Sequence, residues 1–112
     1  MEQTKQDQIL QAILGRNGTT QQMDMCTEEC AELIQAINKI KRLGGLANGG
    51  SRVLRPGPGT DIKYSLAYYS LCSEVADVKI MICQMERMLD KEAIDIAVER
   101  KITRSAERMN IK

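Results

Sequence analysis

The chain has 112 residues, 43% of them hydrophobic and 28% charged, which is the balance of one ordinary globular domain and leaves no room for a second. Sixteen basic residues against fifteen acidic ones give a net charge of +1, so there is no surplus to drive non-specific binding to nucleic acid or an anionic membrane. Histidine is absent, which excludes a Ser-His or Cys-His nucleophile pair, a His-ligated zinc site and a ferritin-like site built on Glu-x-x-His.

Phe and Trp are also missing, so the core is drawn from Leu, Ile, Val, Ala and seven Met, a composition that favours helices. Apolar runs are only a few residues long, far short of the roughly 20 needed to span a bilayer, and the opening MEQTKQDQ is too polar for a signal peptide. A cytoplasmic protein without membrane contact is expected. A first amphipathic segment covers residues 4–15 and is ended by Gly15 and Gly18; a longer one covers 20–43. Next comes LGGLANGGSRVLRPGPGT, residues 43–60, which holds six of the eight glycines and both prolines and reads as a loop. Helical periodicity resumes over 61–89 and 91–109. The expected architecture is a single all-α domain over 1–112, an antiparallel bundle of about four helices. Oligomerisation should complete it, because so short a chain with several aliphatic stripes leaves apolar area uncovered. Unstructured loops of this length are usually lids, binding segments or disordered. Its Arg52 and Arg55 are expected to be solvated.

Four cysteines, Cys26, Cys30, Cys72 and Cys83, raise the question of a disulfide or a zinc site. Cys72 and Cys83 lie in one helical pattern about 16 Å apart along the axis, too far to share a metal or a disulfide. Reduced, buried thiols acting as small apolar residues are expected. Tyr64 and Tyr68 are expected to pack rather than to stack on a base.

The informative anomaly appears when each long segment is laid out at about 100° per residue. With Glu29 as origin, Ile40, Leu33, Cys26, Ile37 and Ala36 all fall within about 80° of it, so Glu29 lies inside an apolar arc. Glu32 borders that arc, whereas Glu28 points more nearly to water. The third segment repeats the pattern: Glu74 sits amid Ala67, Met85, Met81, Val78 and Leu71, and Asp77 flanks it as Glu32 flanks Glu29. Lys79, Glu86 and Arg87 occupy the far side.

Removing an ionised carboxylate from water costs several kcal/mol, and like charges at i,i+3 add repulsion. Neither stripe carries a basic partner; Lys39, about 80° from Glu29, comes nearest. A divalent cation offsets the cost directly, because hard carboxylate oxygens suit Mg2+, with Mn2+ as a possible substitute. The expectation is that the two long helices pack antiparallel and bring Glu29, Glu32, Glu74 and Asp77 together as a metal site. Magnesium held by carboxylates keeps positions for water and substrate phosphates, which points to phosphate ester or anhydride chemistry. Without imidazole, a carboxylate or an ion-activated hydroxide serves as base. Cations for the rest of the substrate are offered by Lys101, Arg104 and Arg108, which share one flank of the last segment beside Ile94, Val98, Ile102 and Met109.

EECAELIQAI from Glu28 to Ile37, followed by EVADVKIM from Glu74 to Met81, resembles the E-E-x-x-E and E-x-x-D motifs of MazG-like all-α nucleoside triphosphate pyrophosphohydrolases. QQMDMCTEECAELIQAI and VERKITRSAERM are similar to small phage and prophage-type members, so the resemblance covers residues 20–42 and 66–109. It implies a helical fold that forms homodimers or homotetramers. It also implies Mg2+-dependent cleavage of an NTP or dNTP between the α and β phosphates, giving the monophosphate and pyrophosphate. Carried over residue by residue, Glu29, Glu32, Glu74 and Asp77 would be the catalytic metal ligands, with Glu28 matching the motif's first acid in a less defined role. Lys101 and Arg104 would meet phosphates. The interval from Glu32 to Glu74 is longer than in compact members, which leaves base and sugar choice open. Cleavage of another pyrophosphate-containing metabolite is the rival enzyme reading. A helical dimerisation or regulatory module with structural acids is the non-enzymatic alternative. A nucleic-acid-binding bundle is disfavoured by near-zero net charge and four acids on one face.

Overall fold

Asp61 and Asp90 each start a helix, because their side chains accept an otherwise orphaned first-turn N–H, from Lys63 at 2.7 Å and from Ala93 at 3.2 Å. A computed structural model describes residues 1–44 and 54–112 and folds them into α1 (Gln3–Arg42), α2 (Ile62–Met88) and α3 (Lys91–Arg108), with no strand among them. Gly44, at φ 107°, follows the end of α1. The end of α3 is closed by Asn110 at φ 55°, with Ile111 N–H donating to Ala106 O at 2.8 Å and Asn110 N–H to Glu107 O at 3.2 Å.

Counted as continuous elements, the described residues form three helices; the four expected segments correspond to α2, α3 and the two arms of α1 on either side of a kink. The segments anticipated at 4–15 and 20–43 run as one element, α1, whose single non-helical residue is Gly18 (φ 82°, ψ 165°). That region of backbone space is essentially restricted to glycine, and one residue in it turns the chain without an intervening loop. A Cβ at Gly18 would meet nothing within 4 Å, so conformation and not space demands glycine there. Gly15 remains helical. Of the expected loop at 43–60, residues 45–53, Arg52 among them, lie outside the described residues. The returning stretch is held by Thr60, whose Oγ1 donates to Gly57 O at 2.6 Å, and by Tyr64, whose hydroxyl donates to Leu54 O at 2.8 Å.

α2 packs against the part of α1 beyond Gly18 in antiparallel register, so that Ile40 meets Tyr64 and Ala67 while Glu29 and Glu32 meet Glu74 and Asp77. One end of this seam is an apolar pad of Ile40, Tyr64 and Ala67, with Tyr68 and Leu71 packed on it. Met81 and the fully buried amides Gln22 and Gln84 lie toward the other end. The part of α1 before Gly18 crosses to a different side of α2, where Gln84 Nε2 donates to Leu10 O at 2.9 Å and Arg87 Nη2 lies 3.0 Å from Asp7 Oδ1. Arg87, expected on the free far side of α2, is therefore partly covered. α3 touches α2 sparsely and α1 not at all, and none of its residues is buried. The radius of gyration is 17.5 Å, against about 13 Å for a compact domain of this length. No helix among the described residues is long and apolar enough to cross a membrane.

Candidate metal centre

Spacing of i,i+3 places Glu29 with Glu32 on adjoining positions of α1, and Glu74 with Asp77 on α2. Antiparallel packing then sets the two pairs face to face. One carboxylate oxygen from each of the four residues lies within 4.8 Å of the others. Ligand oxygens on one octahedral Mg2+ stand about 2.9 Å apart when cis and about 4.2 Å apart when trans, so the donor set already approaches the span of a single coordination shell. Glu29, Glu74 and Asp77 are half-buried and Glu32 is exposed, so the cluster opens to solvent on the Glu32 side. Glu28 is exposed and stands outside the cluster, in line with its outlying position on the helical wheel.

The electrostatics are those of a site short of positive charge. Glu29 Oε2 and Glu74 Oε2 are buried with no hydrogen-bond partner among the described residues. Burial first, then the neighbouring charges of Glu32 and Asp77, raises the pKa of both Glu29 and Glu74 above the usual carboxylate range, and a hydrogen bond with Glu32 favours the protonated form of each. Ion pairs among the described residues join Arg87 to Asp7 and Lys91 to Glu86 and Asp95; none reaches these acids. Orphaned buried oxygens on an all-carboxylate donor set fit a hard divalent cation, and no basic side chain among the described residues is ion-paired with them in its place.

An open groove of about 580 Å³ leads away from the cluster between α1 and α2. Glu32 and Glu74 line its acidic end, with Gln35, Lys39 and Arg42 continuing along α1 and Ser70 along α2. Sequence reasoning noted Lys39 only as the nearest base and did not single out Gln35, Arg42 or Ser70. Their signal is positional: Gln35, Lys39 and Arg42 follow Glu32 at i+3, i+7 and i+10 on one flank of the helix.

Lys101, Arg104 and Arg108 are not brought to the acids within one chain. All three are exposed on α3, where Lys101 and Arg104 line shallow surface grooves with Arg100 and Ile96. The separation follows from α3 diverging from α1. The four thiols are free; Cys26, Cys30 and Cys83 are half-buried. Cys72, expected to be buried, is exposed, because two residues before Glu74 is nearly opposite the seam. Tyr64 is buried in the apolar pad, and Tyr68, half-buried, packs there and is approached by the exposed Arg55. Comparisons of the chain with protein-family models, curated proteins and solved structures returned no match.

Proposed function

We propose that this chain is a Mg2+-dependent nucleoside triphosphate pyrophosphohydrolase that works as a homodimer or homotetramer. The observation that carries the reading is the convergence of Glu29, Glu32, Glu74 and Asp77 to within 4.8 Å at the seam between α1 and α2, with two oxygens buried and unpartnered among the described residues. The motif resemblance at residues 28–37 and 74–81 supports the choice of reaction.

Glu29 and Glu74 anchor the centre, because the packed helices hold them and leave few alternative rotamers. Glu32 and Asp77 flank them and would complete the set of oxygens holding Mg2+. That ion, when bound, would neutralise phosphate charge and acidify a water molecule. Glu32, being exposed and beside the groove, is the carboxylate best placed to take a proton from an attacking water. Burial of Glu29 Oε2 and Glu74 Oε2 keeps bulk water from the inner face of the cluster, which strengthens charge interactions there.

Assembly is supported by exposed area. The chain exposes 8838 Å², whereas a compact monomer of its mass exposes about 6200 Å². Ile96, Val98, Ile102 and Met109 stand exposed along α3, and Ile34, Leu66 and Tyr69 along the longer helices. A second copy covering these faces would bury area of the order that stable interfaces require.

The test is release of pyrophosphate from a panel of nucleoside triphosphates and other pyrophosphate-containing metabolites with Mg2+, repeated with Glu74→Gln. Turnover confined to triphosphates and lost in the variant is expected. Unchanged turnover in Glu74→Gln overturns the site, and turnover of other metabolites alone overturns the substrate class.

A further inference from the structure

We infer that Lys39 and Arg42 form the polyphosphate-binding arm of the groove, receiving the anionic tail of a substrate whose first phosphate is held at the carboxylate cluster. This rests on the proposed metal centre and adds to it the direction and length of the ligand.

The groove has a polarity. Its Glu32 and Glu74 end belongs to the carboxylate cluster, and its other end carries two cations that make no ion pair among the described residues. Lys39 and Arg42 lie about 10 Å and about 15 Å beyond Glu32 along the helix axis, on the same flank. Long flexible stems let both heads reach back toward the acids, so the positive charges cover successive points from the cluster outward. A monophosphate at the cluster meets at most the nearer cation, Lys39, whereas a linear chain of three phosphates extends along the groove toward both. Gln35 and Ser70 line the interval and offer donors to the bridging and terminal oxygens. The ligand class is therefore an anion of several linked phosphates with a free, unsubstituted end, which separates a triphosphate from a diphosphate capped on both sides. The cations on α3 are not required for this within one chain.

Last-turn cations also complement a helix carboxy terminus, and Lys41 supplies the control, since it shares that turn but lies outside the groove. Calorimetric titration of wild type, Lys39→Gln, Arg42→Gln and Lys41→Gln with inorganic tripolyphosphate, pyrophosphate and monophosphate in saturating Mg2+ tests the assignment. Lys39→Gln and Arg42→Gln are each expected to weaken tripolyphosphate by about tenfold, with pyrophosphate losing more to Lys39→Gln than to Arg42→Gln and Lys41→Gln staying within about twofold of wild type. Equal effects of all three substitutions, no effect of any, or no binding of tripolyphosphate by wild type overturns the inference. The metal centre is read separately from the Mg2+-induced rise in melting temperature without anion. A retained rise with no dependence on Lys39 and Arg42 removes the groove alone. An absent rise with Lys39-dependent tripolyphosphate binding removes the metal centre and keeps the groove.

Discussion

Gln84 Nε2 donates to the backbone oxygen of Leu10 at 2.9 Å, tying the amino-terminal arm of α1 to α2 about three turns beyond Glu74. Gln84 is 1% exposed, and its Oε1 is buried without a partner among the described residues. Gln84→Met retains the volume while removing both the bond and the orphaned acceptor, so the two effects oppose one another. Global stability in urea should change by less than about 1 kcal/mol. Amide exchange before Gly18 should accelerate, because the arm loses its buried tether. A loss of several kcal/mol would contradict this account of Oε1.

Gly18 and Gly15 should respond oppositely to alanine. At Gly18 the backbone sits at φ 82° and ψ 165°, and a side chain there should cost about 1–3 kcal/mol. At Gly15, helical and with nothing within 4 Å of an added Cβ, alanine should stabilise by up to about 1 kcal/mol. Paired thermal melts decide the matter; equal effects would mean that Gly18 is not the pivot.

Glu74→Gln should raise the melting temperature of the metal-free protein, since it removes one of four converging negative charges. It should also abolish stabilisation by Mg2+, which for wild type reaches about 2.7 kcal/mol when the ion is present at 100 times Kd. Differential scanning fluorimetry with and without Mg2+ reads both signs. A variant less stable than wild type without metal, yet equally stabilised by it, contradicts the electrostatic reading.

The pH dependence has a definite sign. Glu29 and Glu74 titrate above their unfolded values, chiefly through burial. Their contribution to stability is fully present below the unfolded carboxylate pKa of about 4.3 and is lost as pH rises through the raised folded value. The metal-free protein should therefore lose stability across that window relative to a Glu29→Gln/Glu74→Gln variant. Saturating Mg2+ should remove the loss, because the ion binds the deprotonated carboxylates. Melting curves at stepped pH, with and without Mg2+, would show parallel profiles if the acids were merely solvated.

Ile102, 65% exposed on α3, lies at the centre of the uncovered apolar stripe. Ile102→Lys should shift the assembly toward monomer by at least tenfold in dissociation constant, a loss of about 1.4 kcal/mol or more. Sedimentation velocity measures the shift. A monomeric wild type, or an unchanged assembly in the variant, speaks against α3 as an interface.

The sequence by itself determined the helical class, the positions of the later two helices to within a residue or two, and the identity of the four converging acids. All of these depend on the angular period of a helix and on side chains too polar for their stripe, and both are local properties of the chain. Glu28 was set apart for the same reason. Tertiary structure alone decided that the helical arms on either side of Gly18 meet there without a loop, that the arm before it covers Arg87, and that α3 diverges and leaves Lys101 and Arg104 away from the acids. It also decided that Lys39 and Arg42 border the groove. Such outcomes depend on the direction in which one backbone turns and on which face meets which across the seam, and residue type at a single position does not encode either.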